Sequence, residues 1–410
     1  MVRPLVLLLT CALACAFAAP SPRWPATTPG REVRALWVAR TTLTSPAAIG
    51  RMVQAAHASG FNTLLVQVRA RGDAYYKSRI EPRAEALAGQ PSTFDPLQLT
   101  LAEARRVGLS VHAWISVNLV SSAVELPASR AHVVYRHPEW LMVPRSVAAD
   151  MRAIDPRAPA YLSKLARALR EESADVEGVF LSPADPAVAD YLAQVVGDLV
   201  TRYDVDGVHL DYARYPNEDF DYSRRALSLF AADIDRTIGA PEARRLRARV
   251  ATDPLVYAEK FPERWREFRR ARLTTLVLRL RTAVRAHRPN AVLSAAVVPD
   301  PEEASTRRLQ DWRRWAATGA IDVVCPMAYA PDASTFTTQL EAATQGAGVQ
   351  RLWAGIGAYR LSPAETIESI RVARRLGAAG VVLFSYDSLI SSSPDGAALS
   401  QIGRAAFGRP

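Results

Sequence analysis

Residues 203–216 read YDVDGVHLDYARYP. Asp206-Gly207 is a turn signal, Val208 to Leu210 extends as an apolar run, and Asp211 interrupts that run before the chain reaches Pro216. A β-branched apolar run bounded by turn residues predicts a buried strand over 206–216. A carboxylate inside such a strand either faces an open mouth at the strand end or is buried and paired, because an unpaired buried charge is costly. Asp206, ahead of the strand, has a turn or capping role by default.

The same kind of run recurs on both sides of this stretch. VRALWVAR (33–40), NTLLVQVRA (62–70) and SVHAWISVNL (110–119) precede it, and runs at 291–299, 321–330, 351–359 and 380–389 follow. Amphipathic segments lie between them, with recognisable ends: 46–59 closed by Gly60, 95–107 opened by Asp95-Pro96 and closed by Gly108, 185–203, 262–287, 306–318, 334–345 closed by Gly346, and 363–376 closed by Gly377. Two connections break the rhythm. One, 120–182, carries HPEWLM (137–142) and an Arg-rich helix near 162–172; the other, 217–261, is rich in aromatic and charged residues. Eight strands joined through helices must pair in parallel. The count predicts α/β architecture, a (β/α)8 TIM-type barrel forming one domain over 32–405, with long loops after strands three and four. An open doubly wound sheet would want a glycine-rich phosphate turn after its first strand, where Arg40-Thr41-Thr42 has no glycine, and Gly355-Ile356-Gly357 is too short for a dinucleotide fingerprint.

The chain has 410 residues, 49% hydrophobic and 22% charged, an ordinary globular composition. Arg3, the apolar stretch 5–14 and Ala16-Phe17-Ala18 predict a signal peptide over 1–18 and export to the periplasm or the cell exterior. Lipid anchoring through Cys15 is the weaker alternative, because Leu13 stands one position away from its place in a lipobox. A Pro-rich linker follows over 19–31, and no later run is long and apolar enough to cross a membrane. After processing only Cys325 of the three cysteines remains, inside an apolar run where a small buried hydrophobe is expected. The formal charge of +10 is carried mostly by Arg on helices, as in RWREFRRARL (264–273). Solvated helix faces account for it, and a basic exterior also favours anionic surfaces such as acidic glycans. Nucleic acid is not an expected partner, since no basic stripe is interleaved with aromatics.

In such barrels the site forms at the C-terminal ends of the strands. Those ends, with the loops that follow, supply Trp37 and Arg40; Gln67, Arg69 and Asp73; His112, Trp114 and Asn118; His209, Asp211, Tyr212, Arg214 and Tyr215; Asp300; Met327 and Tyr329; and Tyr386 and Asp387. Carboxylates, aromatic faces and planar amide or guanidinium groups suit sugar rings and hydroxyls. Glycosidases use two carboxyl groups across the scissile bond. Asp211 is the first catalytic candidate, as nucleophile or base, against a structural role in an ion pair with Arg214 or Arg69. Asp300, Asp387 and Asp73 are the candidates for the second, with the loop acids Glu218 and Asp219 behind them. Asp300, on the neighbouring strand, would suit the retaining separation of about 5–5.5 Å, and Asp73 or Asp387 the inverting one of about 6.5–9.5 Å. Asp300 is otherwise a turn residue and Asp73 a loop cap. His112 and His209 read equally as hydrogen-bonded core histidines, and Trp37, Trp114 and Trp353 as core. The histidines show no metal spacing, there is no G-x-S-x-G elbow, and no cofactor is implied.

The segments YYKSRIEP (75–82), FDPLQLTLAEARRVGLSVHAWISVN (94–118), HPEWLM, 181–216 and 268–289 resemble the glycosyl-hydrolase-like family 10 over about 32–389. The resemblance implies a barrel glycosidase similar to bacterial envelope enzymes, some linked to peptide-free peptidoglycan strands. Many members read Asp-Asp-Tyr at the fourth strand; here Asp211 keeps the first carboxylate and Tyr212 replaces the second. Phe268-Arg269-Arg270-Ala271-Arg272 keeps the arginines of a family Trp-Arg-Arg-Asp-Asn motif and lacks its last two polar residues, whereas Cys325-Pro326-Met327-Ala328-Tyr329 is close to a variant found among relatives. The expected function is an exported hydrolase of O-glycosidic bonds in a polysaccharide, cell-wall glycan first; a non-catalytic glycan-binding barrel is the alternative.

Overall fold

The computed structural model describes residues 32–408 apart from 173–175 and 394; the expected signal peptide and linker, 1–31, lie outside the described residues. In chain order the strands are β1 (Val33–Val38), β2 (Thr63–Arg69), β3 (Ser110–Ser116), β4 (Leu119–Ser121), β5 (Val179–Phe180), β6 (Gly207–Asp211), β7 (Val292–Val297), β8 (Val323–Ala328), β9 (Trp353–Ile356) and β10 (Gly380–Phe384). Eight of them close a parallel barrel in the order β1-β2-β3-β6-β7-β8-β9-β10, while β4 and β5 pair antiparallel as a separate ribbon. Every expected strand is present, and the fold is the (β/α)8 barrel.

Alternation along each strand divides the core in two. Leu36, Val38, Leu64, Val66, Val208 and Leu210 face outward into the shell between strands and helices. Ala35, Trp37, Leu65, Trp114, Val323, Cys325, Trp353 and Val382 face inward and fill the barrel. Cys325 is fully buried, as expected. The β3–β6 register sets the inner layers: His112 lies level with Gly207, Trp114 with His209, and Ser116 with Asp211. Gly207 makes the lowest layer possible, since a Cβ there would stand 2.4 Å from the His112 ring. Asp206 accepts a hydrogen bond from Val111 N at 2.8 Å, the capping role read from its place below the strand.

The caps work as expected at several helices. Asp95 accepts from Gln98 N, and Gly60, Gly108 and Gly377 hold the positive φ that ends a helix. Gly346 does not: its helix runs over Ala333–Ala347 and closes at Gly348. Its missing Cβ is needed for packing instead, because an added one would lie 2.6 Å from the Trp312 ring. The expected helix 306–318 is two, Pro301–Thr306 and Trp312–Thr318. The strand expected over 206–216 stops at Asp211, and the eighth stops at Phe384, where helix Tyr386–Ser392 begins. The loop 217–261 folds into helices Arg224–Asp235, Ala240–Arg249 and Val256–Lys260, and the 120–182 insertion carries helix Pro159–Glu171 as well as the β4–β5 ribbon.

Candidate active site

At the C-terminal mouth a cavity of about 250 Å³ is lined by Trp37, Ala39, Gln67, Trp114, Asp211, Tyr212, Arg214, Ala296, Met327, Tyr329 and Phe384. Its volume is near the lower end of small-ligand pockets, about 300 Å³, and suits one ring rather than a chain. Aromatic edges and faces build its wall: Trp37 meets Tyr329 and Phe384 edge-on at 6.3 and 5.9 Å, and Tyr329 stacks on Phe384 at 5.4 Å. A larger cavity, about 430 Å³, lies between the two insertions and contains Tyr161, Tyr222, Arg152 and Arg224 but no strand-end residue of the barrel. The barrel mouth is therefore the better candidate for chemistry.

Asp211 is the carboxylate of this cavity, 8% exposed. One oxygen accepts from Trp114 Nε1 at 3.0 Å and the other from Tyr212 N at 2.7 Å. Burial pushes its carboxyl above the usual aspartate range, against the opposing pull of Arg214 and those two donors. Tyr212, directly after it, adopts φ 51°, a left-handed conformation that costs a non-glycine residue about 1–3 kcal/mol. That turn ends the strand, and the Arg214 guanidinium lies 4.8 Å over the Tyr212 ring.

His209 lies in the layer beneath Trp37. Its Nε2 accepts from Trp37 Nε1 at 3.0 Å, which leaves the proton on Nδ1 to be donated to Ser294 Oγ at 2.9 Å. Burial lowers its pKa to about 3 and that of His112 to about 4, so both rings are neutral. Neither lines the cavity. Trp37, Gln67, Trp114, Tyr212, Arg214, Met327 and Tyr329 meet at the mouth with Asp211. Arg69 does not: it is locked to Glu81 at 2.7 Å, both side chains buried, and donates to the Ser116 and Val117 carbonyls. Asn118 is spent on the Leu181 carbonyl at 2.9 Å, Tyr215 is buried with its hydroxyl 3.3 Å from the Arg269 carbonyl, and Tyr386 is buried on the helix after β10. Arg40 and Asp73 line a neighbouring cavity of about 300 Å³ with Arg71 and His132.

The expected partner acids are engaged elsewhere. Asp300 caps helix Pro301–Thr306 through Glu303 N at 2.7 Å. Asp387 accepts from Ala39 N, Thr41 Oγ1 and Thr42 Oγ1 at 2.7, 2.8 and 2.6 Å, fastening the end of β10 to the start of the loop after β1. Asp73 accepts from Arg71 N at 3.0 Å in its own turn. A carboxylate absent from the expected set stands behind Arg214: Glu177, just before β5, does not line the cavity but accepts from Arg214 Nη2, and its charge acts on Asp211 and Tyr212. It sits in an aperiodic stretch, where pattern carries no signal. Phe384 and Ala296, also missed, follow from strand alternation. Among the described residues no group of three or more His, Cys, Asp or Glu could hold a metal ion.

The chain matches the glycosyl hydrolase-like 10 family over residues 32–171 and 147–368. It belongs to that family. It is 23% identical over 347 residues to the glycosyl hydrolase DigH of Escherichia coli K12, covering 75% of this chain and 65% of DigH, so it spans just under two thirds of that relative. It is 24% identical over 203 residues to the glycosyl hydrolase YngK of Bacillus subtilis, covering 45% of this chain and 34% of YngK. The glycoside hydrolase domain of PgaB (BpsB) from Bordetella bronchiseptica shares the fold, with a TM-score of 0.63, 17% identity, and coverage of 91% of this chain and 99% of that one.

Proposed function

We propose that this protein is an exported glycoside hydrolase that cleaves O-glycosidic bonds in a polysaccharide, with peptidoglycan glycan strands as substrate. One observation carries the reading: a buried carboxyl, Asp211, raised above its usual range, stands in an aromatic cavity at the C-terminal mouth of a barrel. Aromatic walls suit the faces of a sugar ring, and a carboxyl with a raised pKa suits proton delivery to a leaving oxygen. These surroundings favour the proton donor over the nucleophile or base role expected of Asp211. Membership of the hydrolase-like family supports the reaction class, and the signal-peptide pattern at 1–18 supports export. The names of DigH and YngK support a glycosyl hydrolase activity and leave the substrate to experiment.

The alternative, a glycan-binding barrel without turnover, draws on the loss of the family's second aspartate at Tyr212 and on the engagement of Asp73, Asp300 and Asp387 elsewhere. Purified protein incubated with intact and with peptide-free peptidoglycan separates the two. New reducing ends from the peptide-free strands are expected. Binding to the strands with no new ends would favour the non-catalytic reading.

A further inference from the structure

We infer that Glu177 is the second carboxyl of this site, acting opposite Asp211 on the sugar at the barrel mouth, with Arg214 as the residue that positions it. The inference rests on the glycosidase reading above and names the half of the machinery that reading lacks.

The backbone sets Glu177 beside Arg214, which lines the mouth. It precedes β5, whose pairing with β4 sets Leu119 beside Phe180 and Ser121 beside Val179. The two chains lie so close that a Cβ on Gly178 would meet the Ser121 carbonyl oxygen at 2.1 Å. Leu181 N donates to the Asn118 carbonyl at 2.8 Å, and Asn118 Nδ2 returns a bond to Leu181 O. The end of the first insertion is thus fastened to the top of β3, and β3 pairs with β6, which carries Asp211.

Glu177 is 33% exposed, open to water, while Arg214 beside it is 9% exposed. Arg214 Nη2 donates to Glu177, the guanidinium packs over Tyr212, and Nη1 is buried without any hydrogen-bond partner although Arg214 lines the cavity. A buried unpaired donor costs about 1–3 kcal/mol, and at Arg214 that unmet donor belongs to a side chain that lines the cavity. A partly exposed ion pair returns only about 0–1 kcal/mol. The unpartnered Nη1 suits a sugar oxygen that arrives with substrate, and the Nη2 bond fixes the carboxylate next to it. Glu177, from the neighbouring insertion, thus supplies a second carboxyl in the electrostatic neighbourhood of Asp211 and Tyr212.

The step balances. Asp211 gives its proton to the glycosidic oxygen, and the C1–O bond breaks with both electrons passing to that oxygen. A water oxygen bonds to C1 from the opposite face, and the proton it sheds goes to the Glu177 carboxylate. Exchange with solvent returns Asp211 and Glu177 to their starting states.

The test uses the full chain and peptide-free peptidoglycan strands. Glu177→Ala is expected to lower turnover by about 10²–10⁴-fold, the usual worth of a positioned base. Added sodium azide, an anion that attacks without needing a base, is expected to restore part of that rate and to yield glycosyl azide ends detectable by mass spectrometry. Glu177→Gln, close in shape, should lose activity to a similar extent while melting like the wild type. Wild-type cleavage together with a Glu177→Ala variant that azide neither accelerates nor converts to glycosyl azide would overturn the inference and leave the glycosidase reading standing. Full activity in Glu177→Gln would overturn it too. If the wild type itself releases no ends, the reading beneath the inference fails first.

Discussion

Neutral histidines below a raised carboxyl make the barrel interior sensitive to acid. His112 and His209 are held by burial at about 4 and about 3, against about 6.5 in the unfolded chain. Between those values the unfolded state binds protons that the native state refuses, so stability falls as pH drops below about 6.5. By pH 5 the two rings together cost about 4 kcal/mol by linkage. Urea midpoints at pH 7 and pH 5 check this. A His112→Gln variant should show a smaller drop than the wild type, and equal drops would contradict the assignment. Arg69 and Glu81 give a second residue-scale prediction. Both are buried, and Tyr191 also donates to Glu81 at 2.8 Å. Glu81→Ala strands a buried guanidinium and should destabilise by about 3–5 kcal/mol in denaturant titration; a change within about 0.5 kcal/mol, usual for surface positions, would contradict it. Asp211 was legible in the sequence because a carboxylate interrupting an apolar strand is an anomaly that burial must explain. Arg69 and Asn118 stand on similar strand ends, but nothing in their spacing reveals which neighbours capture them.

Elements were legible in proportion to their periodicity. The strands and most helices follow from alternation and capping, because each is a local consequence of residue type. The β4–β5 ribbon and Glu177 do not, since they depend on pairing across a long aperiodic insertion. Gly346 shows how tertiary packing overrides a local rule. It reads as a helix stop, yet it lies within the helix Ala333–Ala347. Ordinarily Gly→Ala inside a helix gains about 1 kcal/mol. Here the new methyl would press on Trp312, which is buried and donates to the Val298 carbonyl at 3.0 Å. Gly346→Ala is therefore expected to destabilise, by about 1–3 kcal/mol, the usual cost of overpacking. Thermal melting reads the sign directly, and a raised midpoint would contradict this packing argument.

For the whole molecule, the barrel gathers residues from across the sequence into one mouth, and the insertion after β3 flanks it with Glu177. Several arginines of the basic exterior are ion-paired within or between elements: Arg279 meets Asp190, Arg281 and Arg285 meet Asp322, and Arg266 meets Glu263. The charge thus reads first as solvated helix faces, with attraction to an anionic envelope as a secondary effect. If the chain is exported as proposed, intact-mass analysis of the secreted protein should give a start near Ala19. A retained 1–18 segment would contradict that, and a lipid on Cys15 would favour the anchored form. The central claim, that Asp211 does the chemistry, has a more direct test. Asp211→Asn keeps the volume and one of the two acceptors, so either Trp114 Nε1 or Tyr212 N loses its partner, and it cannot deliver the proton. Turnover of peptide-free glycan strands should fall by at least about 10²–10⁴-fold in a protein that still folds and binds the strands, with stability lower by about 1–3 kcal/mol for the one buried donor left unpaired. Activity near wild type in a folded Asp211→Asn protein would contradict the account.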